Sequence, residues 1–275
     1  LSSLRRVLFR LGVNSSVRLD KPVVIVGNIG VGGNGKTPVV LFLVEQLKTQ
    51  GVKVGVISRG YGGKAPHYPY LLSPESTAAE AGDEPVLIYQ RTKVPLVVGG
   101  DRVAAAEKLI ALGCELIVSD DGLQHYRLQR DYELVVVDGK RRFGNGLLLP
   151  AGPLRETQAR LQSADAIIVN GGELKTTSLT PKYQMTLRAT KVVNVSSGEI
   201  ISLDEFICAN KQIDAIAGIG DPNRFFNYLQ QLGFTLDNKQ GSIDHQAYNS
   251  EMIAACSTKE LPLMMTEKDA VKCVT

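Results

Sequence analysis

The sequence has little of what marks secreted, membrane-spanning or nucleic-acid-binding proteins. It has four scattered cysteines without a Cys-x-x-Cys pair, which argues against a disulfide framework or zinc site and indicates reduced thiols in a cytoplasmic protein. No apolar run approaches the ~20 residues of a membrane span. The net charge of +3 is too small to indicate a nucleic-acid partner. What remains is an ordinary globular composition, and 275 residues suffice for one large or two modest domains. The cysteines are Cys114, Cys208, Cys256 and Cys273.

The most informative stretch reads GVGGNGKT and fits the pattern G-x-x-x-x-G-K-[ST] of a phosphate-binding P-loop. The β-branched run Val23 to Val26 precedes it and is typical of a buried strand, whereas Thr37 to Gln50 has apolar residues at helical spacing. The motif therefore stands between a strand and a helix N-terminus, where backbone N–H groups and the helix dipole bind phosphate. The predicted nucleotide-binding residues are Gly30, Val31, Gly32, Gly33, Asn34, Gly35, Lys36 and Thr37.

Two of these side chains have specific predicted roles. Lys36 is expected to reach the β- and γ-phosphates of a nucleotide, and the hydroxyl of Thr37 to hold Mg²⁺. The alternative is a glycine-rich turn followed by a chance Lys-Thr pair. A strand and a helix on the correct sides of the motif favour the P-loop.

Two acidic segments are candidates to complete this site. Asp83 opens a helical stretch after Gly82, and it is either a cap-type carboxylate or a functional group at a cleft edge. Asp120 and Asp121 follow the apolar strand Leu116 to Ser119. P-loop enzymes use an Asp in this position to orient Mg²⁺, although a turn with two exposed aspartates would look the same. The P-loop upstream favours the metal-linked interpretation of Asp120 and Asp121.

A long segment from Arg141 to Glu156 combines arginines with a run of leucines. Loops of this length in a compact domain are usually functional. One interpretation is that this segment binds a ligand that is both anionic and hydrophobic. The alternative is a surface loop whose leucines pack into the core. Four arginines are candidates to contact the γ-phosphate or a phosphate of the substrate, namely Arg59, Arg141, Arg142 and Arg155.

Strands and helices alternate along most of the chain, which predicts an α/β fold with a parallel sheet flanked by helices. Ligands then bind at the carboxyl ends of the strands, so the P-loop, the acidic segments and the arginine-leucine loop are expected to share one cleft. We expect a P-loop domain over residues 1–172, a linker over 173–198 and a smaller C-terminal α/β domain over 199–275. Within the linker, Tyr183 to Ala189 and Lys191 to Val195 are expected to form a small hairpin.

The first residues predict a basic amphipathic helix. Its leucines fall on one face, and its arginines lie largely off that face. Such a helix either lies on an anionic membrane surface or packs on the domain with its arginines in solvent, and the pattern alone favours packing. The residues concerned are Leu1, Leu4, Leu8 and Leu11, with Arg5, Arg6 and Arg10.

Several motifs together are more specific than a P-loop alone. They occur in the order VGN before the P-loop, SRGYGG at 58–63, GDEP at 82–85, DDGLQH at 120–125, LLPAGPLRE at 148–156, AGIG at 217–220, DH at 244–245 and TEKDAVK at 266–272. This set resembles the tetraacyldisaccharide 4'-kinases of lipid A biosynthesis and extends over nearly the whole chain. Members of that family usually have a longer apolar N-terminal segment and further residues after TEKDAVK, so we expect both ends to be incomplete.

The resemblance implies a P-loop kinase whose smaller domain is joined by strands and closes over ATP. The implied reaction is ATP-dependent phosphorylation of the 4'-hydroxyl of a tetraacylated glucosamine disaccharide 1-phosphate, at the cytoplasmic face of the inner membrane, with no obligate protein partner. It implies that Asp83 and His245 form the catalytic pair together with Lys36, and that Asp120 and Asp121 bind Mg²⁺ with Thr37. By its own context, a lone His such as His245 is more often structural.

Two other classes of protein are compatible with a P-loop. A GTPase or metallochaperone switch would need an N-K-x-D motif after a later strand, but both Asn-Lys pairs, Asn210-Lys211 and Asn238-Lys239, lack the Asp. A nucleotide-binding module without catalysis is disfavoured by Asp83 and Asp120 beside a complete GKT.

Overall fold

The structure, a computed structural model, describes residues 2–242, 248, 250–257 and 260–273. Its largest element is an eight-stranded sheet in the order β3-β4-β2-β5-β1-β6-β7-β8. Neighbouring strands are parallel except for β3, which pairs antiparallel with β4 at one edge. The strands are β1 Val23–Gly27, β2 Val54–Ser58, β3 Tyr70–Leu71, β4 Leu96–Val98, β5 Leu116–Asp120, β6 Tyr132–Asp138, β7 Ala166–Asn170 and β8 Lys182–Met185.

Helices cover both faces of this sheet, as the alternation of elements predicts. Successive residues of a strand point to opposite faces, so Ile25 packs in one apolar cluster with the helix α5, and Val26 packs in the other with α2 and α4. Both clusters are built mainly from Val, Ile and Leu, the composition expected of parallel strands that are buried on two sides. The helices of this part are α1 Ser2–Arg10, α2 Lys36–Thr49, α3 Ala78–Ala81, α4 Asp83–Thr92 and α5 Arg102–Ala111, with a 3-10 helix at Gln158–Ser163.

A smaller unit follows, with a three-stranded parallel sheet in the order β12-β11-β13 and its own apolar cluster. An antiparallel pair, β9 with β10, precedes this sheet. The elements are β9 Lys191–Val193, β10 Ile200–Ser202, α6 Leu203–Ala209, β11 Gln212–Ala217, α7 Pro222–Gln231, β12 Thr235–Gly241, α8 Ser250–Cys256, β13 Leu263–Met265 and α9 Glu267–Ala270.

The predicted pairing within the linker is wrong. Instead of forming a hairpin with the segment from Lys191, strand β8 pairs parallel with β7 and extends the large sheet. Strand β9 pairs with β10. The edge of β7 offers unpaired backbone groups, and β8 satisfies them, which local sequence patterns do not reveal. The domain boundary at residue 172 stays a prediction, although the large sheet continues to Met185.

Helix α1 lies against the large unit through two described contacts. The ring of Phe9 lies 6.1 Å from that of Tyr126, and the guanidinium of Arg6 donates to the Ser163 hydroxyl at 2.7 Å. Nearby Leu11 remains 72% exposed. In the described part of the chain, no helix is long and apolar enough to cross a membrane.

Candidate active site

The P-loop has the backbone that its sequence predicts. It connects the end of β1 to the start of α2, and the glycines Gly32 and Gly35 have φ values of 90° and 91°. Those values lie in the left-handed region, where side chains other than that of glycine are disfavoured. A Cβ atom at Gly35 would also clash with the side chain of Asn170. The Val31 N–H donates to the Pro153 carbonyl at 2.8 Å, so the arginine-leucine loop lies directly beside the P-loop.

Two cationic side chains surround Asp121, the residue directly after β5. The Nζ of Lys36 lies 3.7 Å from Asp121 Oδ1 and 3.4 Å from Asn28 Oδ1. Arg155 donates to both carboxylate oxygens of Asp121, at 2.9 and 3.1 Å, and also to Asn28. Burial alone would raise the pKa of Asp121, but Lys36 and Arg155 outweigh it and hold that pKa below its usual value. Asp121 is therefore an ionised group that fixes two cations beside the phosphate site.

Asp120 differs from its neighbour. It is the last residue of β5 and is buried, and its Oδ2 accepts a hydrogen bond from the Ser58 hydroxyl at 3.1 Å. Among the described residues, its Oδ1 has no hydrogen-bond partner. Burial, and then the carboxylate of Glu84, raise the pKa of Asp120 above its usual value. A buried carboxylate oxygen without a partner is a position that a cation would stabilise.

The residues present fit Mg²⁺ bound together with a nucleotide. Mg²⁺ is usually held by one or two carboxylates with substrate phosphates and water rather than by an all-protein cage. Asp120 offers an open buried oxygen, and Thr37, at the second position of α2, offers a hydroxyl. No cluster of three or more His, Cys, Asp or Glu side chains suited to a metal occurs in the described part of the chain.

Asp83 is held at the very start of α4. It is 6% exposed, and its Oδ1 accepts the backbone N–H of Glu84 at 2.9 Å. The preceding Gly82 has a φ of 89°, and a Cβ there would lie 2.6 Å from the Tyr61 carbonyl oxygen. The SRGYGG loop thus packs tightly against the start of α4 and fixes the backbone of Asp83. On the second unit, Lys268 Nζ lies 3.7 Å from Asp83 Oδ2.

His245, the predicted partner of Asp83, lies outside the described residues, and its role stays a prediction. The other catalytic, nucleotide-binding and metal-binding residues predicted from the sequence lie at the carboxyl ends of β1 and β5 or at the starts of the helices α2 and α4.

The predicted arginines occupy different positions around this edge. Arg141 donates to the Gly33 carbonyl at 2.7 Å, and Asp138 pairs with its Nε at 3.3 Å. Arg142 donates its Nε–H to the Gly139 carbonyl at 3.4 Å, and Arg59 is exposed directly after β2. Arg141 thus contacts the P-loop backbone itself.

A cavity of about 350 Å³ lies between the P-loop and the segment that follows β6. Its lining is mostly apolar and includes two arginines, and the ligand class predicted for the loop stays a prediction. Within the loop, Leu154 is buried, but Leu147 and Leu149 are more than half exposed. The lining includes Ile29, Val31, Val137, Arg141, Arg142, Phe143 and Leu154.

Sequence reasoning missed a contact between the two units. Arg224, on α7, donates to Asp138 at 3.1 Å and to the Asn170 side chain at 3.0 Å. The amide of Asn170 in turn donates to the Asn34 carbonyl in the P-loop at 3.1 Å. Asn170 is the last residue of a buried strand, and a polar residue at the carboxyl end of a parallel strand is a signal that could have marked it as a site residue. No local sequence pattern predicts the contacts of Arg224, because its partners are distant in sequence.

This edge of the sheet combines a phosphate loop, a lysine beside an ionised Asp, and a second buried Asp with an open oxygen. These are the features of a P-loop nucleotide-binding site. The model of the family described as tetraacyldisaccharide-1-P 4'-kinase matches residues 1–275. The chain belongs to this family of lipid A kinases, and the resemblance seen in its motifs is confirmed.

Individual relatives agree with this assignment. The chain is 57% identical to a tetraacyldisaccharide 4'-kinase of Colwellia psychrerythraea, covering 99% of this chain and 80% of that protein. It is 54% identical to one of Actinobacillus pleuropneumoniae, covering 100% and 83%. Among solved structures, LpxK from Aquifex aeolicus in complex with ATP matches with a TM-score of 0.79 and 29% identity, over 98% of this chain and 85% of that one. The GTPase alternative gains no support from these relatives.

Proposed function

We propose that this protein transfers the γ-phosphoryl group of ATP to the 4'-hydroxyl of a tetraacyl glucosamine disaccharide 1-phosphate and so forms the 1,4'-bisphosphate. Family membership supports the reaction, and the ATP-bound relative supports the nucleotide. The observation in this structure that carries the proposal is the P-loop whose Lys36 pairs with Asp121 beside the buried, open carboxylate of Asp120.

In this proposal the P-loop residues bind and orient the phosphates of ATP. The backbone of 30–37 and the α2 N-terminus attract the phosphates, and Lys36 neutralises charge on the β- and γ-groups. Asp120, with Thr37 and Asp121, would hold Mg²⁺, which supplies further positive charge to the phosphates when bound. Arg155 keeps Asp121 in place from the other side.

Asp83 is the proposed general base. As the 4'-oxygen bonds to the γ-phosphorus, the bond from that phosphorus to the β–γ bridging oxygen breaks, ADP leaves, and the hydroxyl proton passes to the Asp83 carboxylate. A sugar hydroxyl is a poor nucleophile until this proton is removed, which is the reason for a base. His245 is proposed to orient Asp83 from the second unit, as a second residue orients the base in other dyads.

The acceptor is proposed to approach over the arginine-leucine loop. Exposed Leu147 and Leu149 and the apolar cavity suit acyl chains, and the arginines around this edge suit phosphate. The helix α1 is proposed to rest on the cytoplasmic face of the inner membrane, because its sequence contains three arginines and the apolar Val7 and Leu11 are exposed.

Transfer of labelled γ-phosphate in detergent micelles tests the proposal. With ATP and the disaccharide 1-phosphate we expect the lipid to become labelled, and with GTP we expect little transfer. Release of labelled inorganic phosphate at the same rate with and without the lipid, and no labelled lipid, would support the switch or hydrolase alternative instead.

A further inference from the structure

The short helix α9 of the second unit lies directly against α4, the helix that begins at Asp83. Near the end of α4, Arg91 donates to both carboxylate oxygens of Glu267, at 2.8 and 3.1 Å. At its start, Lys268 donates to Glu84 Oε1 at 3.0 Å and lies 3.7 Å from Asp83 Oδ2. Two neighbouring residues of α9 thus pair with α4 at positions two turns apart, and one of them pairs with the proposed base.

The position of α9 is fixed within the second unit. Asp269 is completely buried and accepts hydrogen bonds from the Gly218 N–H at 3.1 Å and the Tyr248 hydroxyl at 3.1 Å. Lys272 pairs with it at 2.7 Å, and the Thr266 hydroxyl accepts the Asp269 N–H at the start of the helix. The backbone of α9 is therefore anchored to the sheet of the second unit, while Val271, directly after the helix, packs in an apolar cluster of the large unit.

We infer that Lys268 is a positioning residue that acts across the two units on the Asp83 carboxylate, an inference that presupposes the kinase activity proposed above. The Lys268 side chain is 16% exposed and that of Asp83 is 6% exposed, so little water screens the pair. An ammonium at this distance favours the ionised carboxylate, the only form that can accept the substrate proton. The bond to Glu84 holds the ammonium in place, and the Glu84 N–H holds the other oxygen of Asp83.

In this arrangement, the ionised form of the Asp83 carboxylate depends on a residue of the second unit. The P-loop and Asp83 belong to the large unit, and the ammonium that favours the charged base belongs to the small one. A large unit on its own would bind nucleotide with a base lacking that ammonium. The described partners of Lys268 are carboxylates of α4 rather than P-loop residues, so its loss is expected to affect the chemical step rather than ATP binding.

The test compares Lys268→Met, which keeps the length of the side chain without its charge, with Lys268→Arg. The matched control is Glu267→Gln, which breaks the neighbouring pair between α9 and α4 and leaves Arg91 near Glu45 at 3.4 Å. We expect Lys268→Met to lower kcat about 10- to 100-fold with KM for ATP unchanged within about twofold. Lys268→Arg should keep most of kcat, and Glu267→Gln should stay close to wild type.

The same substitution in an Asp83→Asn background decides whether Lys268 acts through Asp83. If it does, Lys268→Met should reduce kcat there by less than about threefold, because the carboxylate it acts on is gone. An equal loss in both backgrounds would contradict the inference, as would a wild-type kcat in Lys268→Met or an equal loss in Glu267→Gln. Circular dichroism and affinity for a fluorescent ATP analogue establish that each variant is folded. If Lys268→Met unfolds, the decision passes to Lys268→Arg, and a folded but inactive Lys268→Arg would contradict the inference. A wild-type enzyme that labels no lipid would overturn the proposed function and this inference with it, whereas failure of the inference alone leaves wild-type transfer intact.

Discussion

At the scale of single residues, Asp120 and Asp121 show how two adjacent carboxylates acquire opposite properties. Asp120 is buried near Glu84 and its pKa is raised, whereas Asp121 is paired with Lys36 and Arg155 and its pKa is lowered. Of these two aspartates, only Asp120 has a buried oxygen without a hydrogen-bond partner among the described residues. Asp120 thus has an open oxygen for a cation, whereas Asp121 already contacts two cations, and the metal role of both aspartates stays a prediction.

Lys36 is the residue whose removal should be most costly to transfer. We expect Lys36→Ala to lower the rate of phosphoryl transfer about a hundredfold or more, which is about 2.8 kcal/mol at about 1.4 kcal/mol per tenfold. The reason is that Asp121 and Arg155 remain but the cation on the β- and γ-phosphates is lost. The control is Lys53→Ala, an exposed lysine. Near-normal transfer by folded Lys36→Ala would refute the P-loop assignment.

His125 allows a test of stability against pH. Burial, and then Arg102, lower its pKa from 6.5 to about 4. Between these values the unfolded chain binds a proton that the folded protein does not, so stability is full above about pH 6.5 and falls as the pH decreases towards about 4. His125→Gln should therefore lose less stability than wild type between about pH 7.5 and about pH 5, measured by urea unfolding, and the exposed His67→Gln should behave as wild type. Parallel losses in all three proteins would contradict the lowered pKa of His125.

At the scale of elements, the 3-10 helix at Gln158–Ser163 is tied to the sheet by a buried ion network. Arg160, 2% exposed, donates to both oxygens of Glu133 at 2.6 Å and lies 3.4 Å from Glu156. Glu156 also accepts from Gln124 at 2.8 Å, so the network reaches the DDGLQH turn and the end of the arginine-leucine loop.

Removal of one member of such a network leaves buried charges without a partner. We expect Arg160→Met to destabilise the protein by about 3 kcal/mol in urea unfolding. The matched control is Arg127→Met, because Arg127 pairs with Asp101 at 2.8 Å with both side chains about half exposed. That change should cost at most about 1 kcal/mol. Similar small losses in both variants would show that the buried network adds nothing.

Much of the large unit was predictable because its patterns are local. Strand β1, the P-loop and α2 follow from a β-branched run, a glycine motif and helical spacing, and the order of elements predicts the parallel sheet. The predicted pairing of strand β8 was wrong, because its pairing depends on the free edge of β7 and not on the residues of β8 itself. The contacts of Arg224 and Lys268 depend on how two units meet, which no local pattern encodes.

At the scale of the whole molecule, α1 contacts the large unit, and exposed apolar residues follow it directly. Phe9 and Arg6 contact the large unit, while Leu11 and Val13 are about 70% exposed. Packing of the helix on the large unit is therefore compatible with contact between lipid and the exposed residues that follow the helix.

Charge reversal on α1 separates packing alone from membrane binding. Replacement of its three arginines, Arg5, Arg6 and Arg10, by Glu should greatly reduce sedimentation with anionic vesicles, because each cation contributes about 1 kcal/mol near such a surface. The control variant has the same change in charge in the second unit, because Lys191, Lys211 and Lys239 are replaced by Glu. It should sediment with the vesicles as wild type does. Equal sedimentation of the α1 variant and wild type would mean that the helix only packs on the domain.

The kinase assignment depends on Asp83 as the base, and the most direct measurement is single-turnover transfer of γ-phosphate to the disaccharide 1-phosphate by Asp83→Asn. Asn keeps the shape and cannot take the proton, so we expect an unchanged Kd for ATP and a rate lower by about 10²- to 10⁴-fold. The exposed Asp20→Asn should match wild type. A wild-type transfer rate in folded Asp83→Asn would contradict this role and leave Asp83 as a residue that only stabilises the start of α4.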